Sequence, residues 1–342
     1  MWLERTTIDA DCKGDHMRAA FYESQGPAAE VLQLGDLDER TPSDGEVRVR
    51  LTHSGINPGD VKKRQAWLGA PMAFDRIVPH SDGAGFIEAV GPGVDPARVG
   101  RRVWVHGAQS YRDFGTAAQS TVVPDDRAIE LPDAVSNAVG ACLGIPGITA
   151  HRAVFADGPV DGAVVLVHGV LGAVGSLAAQ LARRGGATVI GTVRRDTDID
   201  RVGPGIADVV VSTAAGVEER VHEAAPAGVN RIIEVALSAN VDLDSRIVAD
   251  DAVIAAYGSP DARPTIPLWP LLFANVSIRL LGSDDFPAAA KNAAAQELSA
   301  AAADSPQLVG PIREFPLEEI AAAHELIENG RPGGRVVLTI DS

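Results

Sequence analysis

The sequence predicts an α/β chain of two domains, a doubly wound parallel sheet and a small antiparallel barrel. Three observations predict it. Residues 163–192 read as strand, glycine turn, helix and strand. Residues 17–132 carry short strands punctuated by Gly, Pro, Asp and Asn, and a second series of short apolar strands begins at residue 209.

At 342 residues the chain is long enough for two cores. Hydrophobic residues make up 46% and charged residues 22%, and no apolar run reaches the roughly 18 residues a membrane helix needs, so a soluble globular protein is expected. Thirty basic residues against 46 acidic ones give a net charge of -16, which disfavours nonspecific nucleic-acid binding through a broad basic face. Two cysteines, Cys12 and Cys142, are too few for a disulfide framework or a four-cysteine zinc site. The start of the chain lacks a charged segment followed by an apolar signal core, so a cytoplasmic location is expected. Residues 1–16 are polar and patternless; they are expected to be a disordered extension, with Met17 a second candidate start.

Within the first domain, expected over 17–136, strands are predicted at 17–22, 47–52, 83–90, 102–105 and 119–123. A small-residue helical stretch at 137–153, interrupted by GIPGITA, marks the junction to a second domain expected over 137–283. There, 164–167 is a short β-branched run typical of a buried parallel strand, a helix ends near Arg184, and a second strand spans 187–191. Strands at 209–211, 231–235, 252–257 and 277–281 bring the sheet to six, with a helix at 217–225 and an irregular crossover where GPG interrupts 199–206. Helices at 288–303 and 317–329 and a strand at 335–340 follow. A complete six-stranded sheet has no place for that strand, so residues 284–342 are expected to return to the first domain.

The turn after residue 167 carries Gly169, Gly172 and Gly175. One such glycine allows the turn, one lets backbone approach a pyrophosphate, and one lets the helix start close to the strand. A helix beginning at Gly172 or Ala173 and running through Val174 and Gly175 would offer its free N–H groups to the phosphates. An NAD-selective site places an acid after the second strand, whereas this strand runs out into Arg194 and Arg195. Guanidinium forks suit a 2′-phosphate, so NADPH is the expected cofactor rather than NADH.

SGINPGDVKKR at 54–64, VPHSDGAGFIEAVGPGV at 78–94, GIPGITAHRAV at 144–154, VLVHGVLGAVGSLAAQLAR at 165–183 and RIIEVALSANVDLDSRIVADDAVIAAYGS at 231–259 occur in that order. Together they resemble the zinc-independent, zeta-crystallin-like quinone oxidoreductases of the medium-chain dehydrogenase/reductase superfamily. The resemblance runs over 17–341 and implies a GroES-like, partly closed antiparallel barrel beside a Rossmann sheet. Two residues depart from the family's turn: Leu171 stands where a small residue is usual, and Ala173 where a second glycine is usual.

The zinc alcohol dehydrogenases of that superfamily have a cysteine where Asn57 stands and a histidine where Ser81 stands. Asn and Ser cannot provide that ligand pair, and His80 is one position out of register, so no catalytic metal is expected. His53, His106, His151, His168, His222 and His324 show no ligand-like spacing with carboxylates; His168 is expected only to bond the loop backbone.

The resemblance further implies that Asn57 holds the nicotinamide ribose or the acceptor, with Asp60 in the network behind it. A turn cap is the equally weighted role for Asp60. Thr149 either touches the nicotinamide or bonds local backbone, and Lys63 and Arg64 are either solvated or ligand contacts. Gly258 and Ser259 follow the fifth strand at its C-terminal end, where such sheets bind ligands, and Arg335 either approaches the cofactor phosphate or opens a strand in solvent. The implied activity is NADPH-dependent reduction of small quinones or related electrophilic carbonyl compounds by direct hydride transfer. A 2-enoyl or enone reductase and a non-catalytic dinucleotide-binding protein are the alternatives, and a homodimer without membrane or nucleic-acid partners is expected.

Overall fold

Runs of β-branched residues between turns become the strands of two large sheets in the computed structural model, which describes residues 16–305, 307–330 and 333–341. The expected extension lies outside the described residues, save that His16 opens the first strand. The barrel part contains β1 (His16–Phe21), β2 (Gln33–Asp38), β3 (Glu46–Ile56), β4 (Asp82–Val90), β5 (Arg102–Val105), β6 (Ser120–Pro124) and β7 (Ala128–Glu130), with helices α1 (Ala28–Val31) and α2 (Pro58–Arg64). β3 alternates, burying Val47, Val49 and Leu51 while Arg48 and Arg50 face outward, as a strand with one buried face must.

After the short α3 (Asn137–Gly140) and the junction helix α4 (Gly144–Phe155) comes the second sheet. It consists of β8 (Val164–Val167), α5 (Ala173–Arg184), β9 (Thr188–Val193), β10 (Val209–Ser212), α6 (Val217–Ala224), β11 (Val229–Glu234), α7 (Leu237–Ile247), β12 (Val248–Ala256), α8 (Leu268–Phe273) and β13 (Ser277–Leu280). All six strands are parallel in the order β10-β9-β8-β11-β12-β13, the doubly wound arrangement whose order reverses between its first and fourth strands, here β8 and β11. Val165 and Val167 join the core under α4 and α5, while Leu166 joins the core under α6 and α7. Both sheet faces are therefore covered, which is why β8 is apolar throughout.

The chain ends with α9 (Ala288–Asp304), β14 (Ile312–Pro316), α10 (Ile320–Glu328) and β15 (Arg335–Thr339). β15 pairs antiparallel with β3 and parallel with β14, so the barrel sheet runs β14-β15-β3-β4-β5-β7 with β6 also on β3. The expected return of the last strand is observed. α9 packs instead on α4, where the lack of a Cβ at Gly147 makes room for Leu298. No helix among the described residues is long and apolar enough to cross a membrane.

Candidate active site

The glycine turn lies at the C-terminal end of β8. Gly169 has φ +66°, a region that disfavours any side chain, and its carbonyl accepts the Gly172 N–H at 2.7 Å. A Cβ on Gly175 would meet the Gly169 carbonyl oxygen at 2.4 Å, so the third glycine is required for close packing. Gly172 is the N-cap of α5 and Ala173 its first residue; with no side chain capping it, the first turn leaves N–H donors unclaimed by the protein. Leu171 is exposed at the tip, pointing its side chain to solvent.

Arg335 arrives here from the returning strand β15. It is buried, not exposed at a strand start, and donates from Nη2 to the Ala173 carbonyl at 2.5 Å and to Ser176 Oγ at 3.3 Å. Its Nε has no partner and no carboxylate pairs with it among the described residues. Burial lowers its pKa to about 10.

At the end of β9 the two arginines separate. Arg195 is held by Asp198, at 2.9 and 3.1 Å, and Asp198 also accepts from Arg201 at 2.7 Å. These guanidinium bonds hold the Asp198 pKa down to about 2. Arg194 is exposed and has no side-chain partner among the described residues. Asp196, the nearest acid, accepts from the Ser212 hydroxyl.

In the barrel, Asn57 caps α2 and donates from Nδ2 to Asp82 Oδ2 at 2.7 Å. Asp60 accepts the Asn57 backbone N–H at 2.7 Å, so its capping role is real, and it is also buried. Burial raises its pKa to about 6, opposed by Lys63. Asp82 is the central group the sequence reading passed over. Both its oxygens accept the Ile145 N–H, at 3.0 and 2.9 Å, which seats the carboxyl on the first turn of α4. Burial pushes its pKa up to about 8 against the bonds from Asn57 and Ile145. The signal for it was present in HSDGAG followed by a helix opening on Gly144, where a Cβ would lie 2.0 Å from Asp82 Oδ1.

Thr149 directs its hydroxyl to the Ile145 carbonyl at 2.6 Å, the local-backbone alternative. Thus Asn57, Asp82, Ile145 and Thr149 form one bonded group linking the barrel to α4. Gly258 packs where a Cβ would meet the Val235 carbonyl oxygen at 2.5 Å, and Ser259 donates to the Asp261 carbonyl at 2.8 Å. Lys63 donates to Gln109 at 2.9 Å and lies 3.8 Å from Asp284, where Ser110 also donates. Arg64 is neither solvated nor positioned for ligand: it is fully buried and bonds Glu328, the Gly26 carbonyl and His324.

His80, with φ +76°, turns inward to Ser54 at 2.8 Å and His324 at 2.8 Å, and burial lowers its pKa well below the usual value. His168 does not bond the loop backbone through its ring. Its Nδ1 meets Thr192 Oγ1 at 3.1 Å and its Nε2 meets Asp244 at 2.8 Å and Glu234 at 3.6 Å, correcting the expectation that no histidine gathers carboxylates. Among the described residues this is the one group of three such side chains with ligand atoms within 4.8 Å of one another. Sequence spacing could not reveal it because the three come from β8's end, β11 and α7.

Residues 43–133 match the family described as alcohol dehydrogenase GroES-like domain, and residues 173–295 that described as zinc-binding dehydrogenase. A quinone oxidoreductase of Rattus norvegicus is 30% identical over 334 residues, covering 95% of this chain and 98% of the relative. The chain belongs to the medium-chain dehydrogenase/reductase superfamily. Among its structural neighbours, a mycobacterial quinone oxidoreductase superposes with a TM-score of 0.82 at 26% identity, over 94% of this chain and 99% of the other. A mycobacterial protein solved in complex with NADPH gives 0.81 at 26%, with the same coverage. With Asn57 and Ser81 in place of the thiolate and imidazole, this medium-chain oxidoreductase stands with the zinc-independent members related to quinone oxidoreductases.

Proposed function

We propose that the protein reduces small quinones and related electrophilic carbonyl compounds with NADPH, by direct hydride transfer and without a metal. The observation that carries this reading is Arg335, a buried guanidinium with an unpartnered Nε and no carboxylate among the described residues, set against an uncapped helix start. A buried cation in that setting calls for an anion, and a pyrophosphate on the glycine turn supplies one. The glycines suit such a turn, since a Cβ at Gly172 or Gly175 would press on the Gly169 carbonyl oxygen, at 3.0 and 2.4 Å, and push the helix start away from the turn. NADPH is favoured over NADH because Arg194 is uncommitted among the described residues while Asp196 is engaged by Ser212.

NADPH, when bound, supplies the hydride. The chain's own part is alignment and exclusion of water. We assign Asn57, anchored by Asp82, to orienting the nicotinamide ribose or the acceptor, and Asp60 to holding Asn57. Gly258 and Ser259 would border the cofactor from β12, and Thr149 would contribute shape, its hydroxyl being committed to Ile145. A quinone is electrophilic enough that the hydride step needs no strong acid; its oxygens can take protons from water.

We further propose a homodimer formed at β13, an edge strand paired on one side by β12. Leu280 is 75% and Phe273 74% exposed, with Trp269 stacked on Phe273 beside them. An apolar edge of this kind needs cover.

Titration with NADPH and NADH, followed by stopped-flow oxidation of the bound nucleotide by 1,4-benzoquinone and by crotonyl thioester, tests the reading. Tight NADPH binding and rapid oxidation by the quinone are expected. Oxidation by the thioester alone would make the protein an enoyl reductase, and absence of NADPH binding would refute the cofactor assignment.

A further inference from the structure

Thr192, near the end of β9, touches the glycine turn through two groups. Its carbonyl accepts the Val170 N–H at 3.0 Å and its hydroxyl accepts the Gly169 N–H at 3.3 Å. The same hydroxyl lies 3.1 Å from His168 Nδ1, and His168 Nε2 lies 2.8 Å from Asp244 Oδ1. Thr192, His168 and Asp244 are all buried, at 1%, 1% and 0% exposure, so no water competes for these bonds.

For a neutral imidazole one assignment of protons satisfies the whole chain; against burial, Asp244 and Glu234 raise the His168 pKa, and the imidazolium would instead donate from Nδ1 to Thr192. With Asp244 as the acceptor, Nε2 of His168 carries the proton; Nδ1 of the neutral ring is then a lone pair, and Thr192 donates its hydroxyl proton to it. That leaves the hydroxyl's lone pairs for the Gly169 N–H. Every bond therefore runs in one direction, from Gly169 through Thr192 and His168 to Asp244. With a proton on Nδ1 instead, the Thr192 hydroxyl would have to accept twice and its own proton would lose its acceptor.

The far end of this chain is the residue with φ +66° whose carbonyl closes the turn on Gly172. We propose that Asp244, His168 and Thr192 are positioning residues for the dinucleotide: they hold Gly169 in place and so aim the free N–H groups at the start of α5. The inference rests on NADPH being the ligand of that turn. All three side chains are buried and bonded in series, and they reach the turn through the backbone of Gly169.

The test compares Thr192→Val, which keeps the shape and removes the hydroxyl, with Thr192→Ser, which keeps the hydroxyl. NADPH Kd is expected to rise about tenfold in Thr192→Val, the size of one net hydrogen bond. Thr192→Ser should bind like the wild type. Equal binding by Thr192→Val and the wild type, or equal losses in both variants, overturns the inference while leaving the cofactor assignment intact. A wild type that does not bind NADPH overturns both. Should Thr192→Val not fold, nitrogen NMR of His168 in the wild-type protein decides: the proton on Nε2 is the expected tautomer, and a proton on Nδ1 refutes the chain.

Discussion

Arg194 and Arg195 are adjacent in sequence and separated in duty. Asp198 occupies Arg195, whereas Arg194 has no side-chain partner among the described residues. Arg194→Ala is expected to weaken NADPH binding by about 10- to 100-fold, as loss of a charge-assisted contact does, with NADH binding little changed. Arg195→Ala should cost less than about threefold, and calorimetric titration of both variants checks the contrast. Asp82 gives a second prediction at this scale. Folded, it holds its proton up to about pH 8, against an ordinary value of 3.8. The folded state thus binds more protons than the unfolded one between those values, so the stability present below pH 4 is lost as pH rises toward 8. Asp60 and Glu234, raised by burial to about 6 and about 7, act in the same sense. The wild-type Tm should fall by about 5 °C from pH 5 to 8 and that of Asp82→Asn by less than half as much, measured by calorimetry. Asn57 was legible from its motif, but Asp82 was not, because its importance lies in which distant N–H it meets.

Among the elements, α4 ties the parts together, since its first turn seats Asp82 and its body carries α9. Gly144→Ala would place a Cβ 2.0 Å from Asp82 Oδ1, displacing the carboxyl from the helix start. A Tm lowered by about 5 °C or more is expected in thermal melts, the range for a clash of this kind. Elements with a strong internal pattern were readable: 102–105 and 164–167 are the observed β5 and β8 to the residue. Others were not. β2, with Gly and two Asp in six residues, and β14, ending in Pro, are half-exposed strands formed by pairing with β1 and β15. α7 was hidden because LSANVDLDSRI carries two Asp, one of them the buried Asp244 that answers His168.

At the scale of the whole molecule, the exposed edge at β13 predicts self-association. Leu280→Asp combined with Phe273→Asp should shift the protein from dimer to monomer in analytical ultracentrifugation, while NADPH affinity stays within about twofold, because both side chains lie away from the glycine turn. The pairing of β15 with β3 joins Val336 to Ile56 across the intervening parallel sheet domain. That connection has a price during synthesis. On the ribosome β3 emerges early, yet the partner of its last residues, His53 to Ile56, is translated only after the entire second domain, and until then that end of β3 has an unpaired flank. That end of the nascent barrel must be sheltered or stay loose while the second domain folds, and the last strand to be made also delivers Arg335 to the Ala173 carbonyl, so the glycine turn gains its buried guanidinium in the same event that completes the barrel.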